Sequence, residues 1–184
     1  MLNEYPERFP ATVNPWRLAD GQQSLAGSIP LCQLQRLCEF LHFEGETPDA
    51  AGKVRFDARF GRGTNRRPVV RLRVMAELPL LCQRSLKVYF EKIDREVELT
   101  LIDAEASRDR RENLDDGTDH YGTDRVLVDS KQMALAIVVE DELLMSLPLI
   151  AVNPECPHME YHSEDKNYTE PEHKSPFADL AKLR

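Results

Sequence analysis

At 184 residues and 21.1 kDa the chain is long enough for one hydrophobic core and short for two. Hydrophobic residues at 41%, charged residues at 30% and a mean hydropathy of -0.49 fit a packed interior under a heavily charged surface, and exclude a chain that is disordered throughout. The formal net charge of -8 and pI ≈ 5.2 exclude a polycation, so any attraction for nucleic acid has to be local.

Residues 1–9 carry acids and proline where a signal peptide needs an apolar run, and no stretch approaches the roughly 18 apolar residues of a membrane span. A cytoplasmic protein with no membrane partner is expected. In that reducing compartment Cys32, Cys38, Cys82 and Cys156 are expected as thiols. Residues 1–27 are polar and interrupted by Pro6, Pro10 and Pro15, which predicts an irregular N-terminal arm anchored by residues such as Trp16. From Ser28 onward, Leu31, Leu34, Leu37, Cys38 and Leu41 recur at spacings of three and four. With Ser28 as cap and Pro30 in the first turn, this predicts a short amphipathic helix. Cys32 and Cys38, six apart, fall on opposite sides of it and do not share a metal.

Period two then takes over. Val54, Phe56, Ala58 and Phe60 alternate with Lys53, Arg55, Asp57 and Arg59, and after Gly61-Arg62-Gly63 the pattern returns as Val70, Leu72, Val74 and Ala76 around Arg71 and Arg73. This is an antiparallel hairpin with one buried and one wet face. Two further strands, within 86–90 and 97–101, imply an antiparallel meander or a small partly closed barrel. Hydrophobicity collapses over 103–124, where Glu105, Asp109, Glu112, Asp115, Asp116 and Asp119 predict an acidic, mobile surface loop. A long helix is expected to start at Asp129 or Ser130 and run through Met133, Ile137, Val138, Glu140 and Leu144 to a stop at Pro148, packed across the sheet. Residues 154–175 read as a polar, poorly ordered segment, followed by a short possible helix at 176–183. The expected fold is one α+β domain: an antiparallel sheet or partly closed β-barrel, one long helix in the C-terminal half and a short N-terminal helix.

Charge is distributed unevenly. Residues 53–73 hold Lys53, Arg55, Arg59, Arg62, Arg66, Arg67, Arg71 and Arg73 against the single acid Asp57, a net +7, so the rest of the chain carries -15. Arginines alternating with apolar residues project from one face of a hairpin, and arginine suits bidentate phosphate contacts that are blind to base sequence. The opposing reading is a solvated face that pairs with the acidic loop. Cys82, Cys156, His158 and His162 are the candidate metal ligands, with C-x-H-x3-H spacing at the second group. The paired C-x-x-C knuckles of a structural zinc site are absent, because the position after Cys82 that would complete one is Ser85. No cofactor is expected, zinc included. There is no phosphate-binding loop, no G-x-S-x-G, no H-E-x-x-H and no dinucleotide fingerprint, so no catalytic residue is assigned. Glu140, Asp141 and Glu142 are adjacent on a helix and point apart, which favours a polar helix edge over an acid/base cluster.

The run Val139-Glu140-Asp141-Glu142-Leu143-Leu144-Met145-Ser146-Leu147-Pro148 resembles the hallmark helix and Leu-Pro exit of the YceD-type family, the large ribosomal RNA subunit accumulation proteins of bacteria and plastids. Leu81-Cys82-Gln83-Arg84 resembles that family's C-x-R-C turn, and Ser175-Pro176-Phe177-Ala178-Asp179-Leu180 its C-terminal Pro-Phe-Ala-x-Leu segment. The resemblance implies a cytoplasmic, non-enzymatic factor in synthesis, processing or stability of large-subunit (23S) ribosomal RNA, with ribosomal RNA or a pre-ribosomal particle as partner. Many relatives carry four cysteines arranged like a zinc site, of which only Cys82 and Cys156 remain here. Three roles are compatible with these features: RNA contact through the arginine hairpin, capture of a basic ribosomal protein by 103–124, or nuclease action.

Overall fold

The alternating stretches in the middle of the chain form the longest strands. In the computed structural model, which describes residues 5–6, 8–45, 52–63, 66–104, 124–129 and 131–157, five strands make one sheet. They are β1 (Ser24–Pro30), β2 (Lys53–Arg62), β3 (Pro68–Leu81), β4 (Val88–Asp103) and β5 (Asp124–Val128), in that spatial order. β1 to β4 pair antiparallel with their sequence neighbours, and β5 joins β4 in parallel, Leu99 opposite Asp124. Because side chains alternate across a strand, one face collects Val54, Phe56, Ala58, Phe60, Val70, Leu72, Val74, Ile93 and Leu99. Most of the sheet's charges lie on the opposite face, whereas Arg95, opposite Val74, is on the apolar side.

Among the described residues three helices and a 3-10 turn cover the apolar face. α1 (Pro15–Asp20) starts with proline in its first turn and with the Asn14 side chain accepting from the Arg17 N–H at 3.2 Å. The 3-10 turn Leu31–Gln33 and α2 (Gln35–Cys38) bring Leu31, Leu34 and Leu37 into the core. α3 (Leu135–Ser146) adds Leu135, Val138, Val139 and Leu143 to the same cluster. It ends where expected: Leu147 turns extended, as the residue before Pro148 must.

The α+β class and the β2–β3 hairpin match the sequence expectations, and five points differ. The sheet is mixed and open among the described residues, with β1 and β5 as its edges, and is not closed into a barrel. The expected helix from Ser28 is replaced by β1, the 3-10 turn and the four-residue α2. Ser28 and Ile29 pair with Arg55 and Val54, Pro30 fixes an extended bend, and Leu34 (φ -101, ψ 73) interrupts the helix. The strands expected at 86–90 and 97–101 are one sixteen-residue strand, Val88–Asp103, since the residues between them continue the alternation and include no glycine or proline. β5 is an additional strand, and Asp103 and Asp124, assigned to the loop, belong to strands. The N-terminal arm is regular at α1 and β1, and α3 starts at Leu135, later than expected, with Ala134 as its N-cap and no side-chain cap hydrogen bond; Ser130 lies outside the described residues. Residues 105–123, 158–175 and 176–183 lie outside the described residues. Among those described, no helix is long and apolar enough to cross a membrane.

Glycine inside a strand ordinarily weakens it, and Gly27 in β1 has a packing reason to be there. A Cβ at Gly27 would stand 3.0 Å from the Phe56 ring and 3.1 Å from that of Phe9, two rings that pack edge to face at 5.0 Å. Gly27→Ala should therefore destabilise the fold by about 1–3 kcal/mol through overpacking, read as a lower midpoint of urea unfolding, although alanine is the better strand residue.

Candidate functional site

The sheet brings the candidate arginines together and gives most of them partners. Arg55 and Arg59 on β2 and Arg71 and Arg73 on β3 project from the solvent face, where Arg59 sits opposite Arg71 and Asp57 opposite Arg73. On the other side of β3, β4 places Glu98 opposite Arg71 and Glu96 opposite Arg73. Arg71 Nε donates to Glu98 Oε2 at 2.7 Å. Arg73 donates through Nε and Nη2 to both oxygens of Asp94, at 2.8 and 2.7 Å, the fork geometry natural to guanidinium. That paired hydrogen bond holds the Arg73 guanidinium above its ordinary range and the Asp94 carboxyl below its own. Arg59 Nε reaches Asp57 Oδ1 at 3.2 Å, and Arg55 lies 5.9 Å above the Tyr5 ring. The face is a patchwork of both signs.

The β2–β3 turn differs. Residues 61–67 contain Arg62, Arg66 and Arg67 and no acid. Arg62 binds Asp20 at the end of α1 and donates through Nη1 to the Arg66 carbonyl at 2.7 Å, while Arg66 itself has φ +57 and stands exposed beside exposed Arg67. The charge partners Asp20, Asp94 and Glu98 escaped the sequence reading. For Asp94 and Glu98 the signal was the alternation of β4, whose acids at 94, 96 and 98 fall at outward positions once it is read as one strand, whereas Asp20 lies on α1 and had no such signal.

The family-like acids do structural work. Glu140 is buried, not at a polar helix edge as expected, and its Oε1 accepts the backbone N–H of Arg36 (2.9 Å) and of Leu37 (3.2 Å). These are two of the orphan donors at the start of α2, so Glu140 caps a helix 104 residues away. Its Oε2 takes the Arg36 guanidinium, at 2.9 Å from Nε and 2.7 Å from Nη2, while Arg36 Nη1 reaches Asp141 at 2.8 Å. Glu142 is also buried and points elsewhere. Arg95 Nε stands 3.4 Å from its Oε2, close enough for charge attraction but not aligned as a hydrogen bond. A carboxylate committed to two amides and a guanidinium is poorly placed to shuttle protons.

Cys82 sits at the end of β3 with no exposed surface. Its sulfur accepts the N–H of Ser85 at 3.4 Å and of Asn153 at 3.3 Å. The Ser85 hydroxyl and then those amides bring the thiol down to about 6, against the opposing effect of burial. Gln83 N–H donates to the Ala151 carbonyl at 2.8 Å and Arg84 Nη1 to the Cys156 carbonyl at 3.0 Å, so this turn is fastened to the chain leaving α3. A structural zinc needs four donors. Among the described residues no group of three histidine, cysteine or acidic side chains could hold a metal, and His158 and His162 lie outside them. The described donors therefore do not make up a zinc site.

Two outcomes follow from the buried acids. Glu140→Ala should cost about 2–3 kcal/mol in urea unfolding by uncapping α2 and stranding Arg36, and Glu140→Gln, which keeps one acceptor oxygen, should cost less. Burial raises the Glu142 carboxyl above 4.5, Arg95 opposes the rise, and Asp124 and Asp141 add to it. A raised carboxyl holds its proton more tightly in the folded chain, so its contribution to stability declines as pH climbs through 4.5 toward the folded value. Asp94 acts in the opposite sense and is common to parent and variant. Glu142→Gln should thus raise the unfolding midpoint at neutral pH and leave it near the parent's at pH of about 4, below the unfolded value.

No curated protein and no solved structure matches the chain. The family model described as large ribosomal RNA subunit accumulation protein YceD matches residues 70–184. That span begins in β3 and contains Arg71, Arg73, the Cys82 turn, Glu140, Asp141, Glu142 and Leu147-Pro148, while Arg55 to Arg67 precede it. With well over half of its length matched, the chain belongs to the YceD family of large ribosomal RNA subunit accumulation proteins.

Proposed function

We propose that the chain is a non-enzymatic, cytoplasmic factor that supports accumulation of large-subunit ribosomal RNA by touching that RNA through the β2–β3 turn. Arg62, Arg66 and Arg67 are the leading contacts. Arg55, Arg59, Arg71 and Arg73 are secondary ones. The observation that carries the reading is the stretch 61–67, which holds no acid and in which Arg62, Arg66 and Arg67 are all exposed. The ion pairs of the face remain available to a competitor, because 51% to 71% of each arginine side chain in them is exposed, and exposed ion pairs are weak and screened by salt. The family name supports ribosomal RNA as the polyanion in question. The engagement of Glu140 in capping and of Cys82 in a closed turn supports a role without catalysis.

The test is filter retention of a large-subunit ribosomal RNA fragment across a salt series. The triple change Arg62→Ser, Arg66→Ser, Arg67→Ser should flatten the dependence of log K on log salt by about 2–3, at about 0.7–0.9 for each phosphate that is no longer neutralised, and Arg71→Ser with Arg73→Ser should flatten it less. Retention unchanged in the triple variant, with the fold intact by circular dichroism, would sink the proposal. Capture of a basic ribosomal protein that survives nuclease treatment, and disappears when the acids of 105–123 become serine, would favour the acidic stretch instead. Magnesium-dependent cleavage of precursor RNA by pure protein would mark a nuclease.

A further inference from the structure

We propose that residues 175–184 of this chain dock as a short amphipathic helix into the apolar groove beside the exit of α3. The groove has a volume of about 350 Å³ and is lined by Phe40, His42, Leu81, Leu144, Leu147 and Leu149 among others. That is room for about two large apolar side chains at protein packing density. Its walls are tied down. The His42 N–H donates to the Pro79 carbonyl at 2.9 Å, and the Gln83 N–H donates to that of Ala151 at 2.8 Å. Large apolar side chains nevertheless remain uncovered around it, Leu149 completely and Phe40 by 58%. Bulky apolar residues gathered at one concavity, rather than scattered singly, mark a surface that something covers.

The occupant follows from what the chain still has to place. Beyond Pro157, residues 158–174 are mostly charged or polar, and then Phe177, Leu180 and Leu183 recur three apart with Ala178 and Ala181 between them. Ser175 and Pro176 stand ahead of that run, a cap residue followed by the residue favoured at the first helical position. It is the one stretch of 158–184 with a helical apolar stripe, and two of its three bulky residues would fill the groove. Reach decides between this segment and one from another molecule. Ala151, on the groove wall, lies only six residues before Pro157, and nineteen residues separate Pro157 from Phe177. A coil of that length spans about 25 Å on average, which sets an effective concentration near millimolar, far above that of a second copy in dilute solution. The docking is independent of RNA contact and would stand if that proposal failed.

Photo-crosslinking of the full chain tests it. With para-benzoylphenylalanine in place of Phe177, and 15N-labelled and unlabelled chains mixed at low micromolar concentration, irradiation should give single-isotope crosslinks to peptides containing Phe40, Leu81 or Leu147. The exposed-site changes Phe40→Asp and Leu149→Asp, which disturb no buried residue, should each cut that yield several-fold. Mixed-isotope crosslinks would overturn the proposal in favour of a second copy. Crosslinks confined to other parts of the chain, or no crosslink, would also overturn it.

Discussion

One carboxylate holds the two halves of this molecule together. Glu140 reaches from the middle of α3 to the first amides of α2, neutralising two donors that a four-residue helix could not satisfy itself. α2 is too short to persist on intrinsic propensity. It exists because a buried anion meets its positive end and because Leu37 fills the core beneath it. Arg36 then closes over the same anion and over Asp141, so that adjacent acids which diverge on the helix still serve a single partner. Glu142, one position on, faces Arg95 on β4 without a hydrogen bond. Glu140 and Asp141 thus fasten α3 to α2, and the position of α2 follows from that attachment.

Much of this was legible in the sequence, and the failures have physical causes. The hairpin could be read from Val54 to Ala76 because alternation is unambiguous when one face is buried and the other wet. The leucines at 31, 34, 37 and 41 were rightly assigned to the core, yet the helix drawn through them was wrong. A strand, a 3-10 turn and one helical turn bury the same residues, so periodicity alone could not choose. Charged residues at 91–96 looked like a break, whereas a strand with a solvated face tolerates charge at every outward position. β5 escaped because five residues after a polar stretch carry too little pattern. The acids of α3 were taken for a surface edge since nothing local announces a partner at Arg36 or Arg95. Long-range pairing is what a one-dimensional reading sees least.

The electrostatics required the largest revision. A segment of +7 reads as an open cationic stripe only while its neighbours are ignored. The register of β4 sets Glu96 and Glu98 directly against Arg73 and Arg71, and Asp94 within diagonal reach, so the broad face is nearly neutral at contact range. What remains distinctive is the turn at 61–67, where the chain leaves the sheet and β4 supplies no opposing acid. Cross-strand pairing sets acids among the arginines of the face, and 61–67 is the part of the arginine-rich segment that holds no acid of its own.

The distance along the chain between Glu140 and α2 also bears on how the protein is made. The sheet assembles from neighbours, β1 on β2, β2 on β3 and β3 on β4, so each strand finds its partner soon after emerging from the ribosome. The cap of α2 has no such luck: it trails Arg36 by 104 residues, which at about 5–20 residues per second is roughly 5–20 s of synthesis. Until α3 has been made, Leu31, Leu34 and Leu37, which share their core cluster with Leu135, Val138, Val139 and Leu143, lack the residues that complete it. Closure of this part of the core is therefore tied to a stretch of chain made long after the leucines it covers.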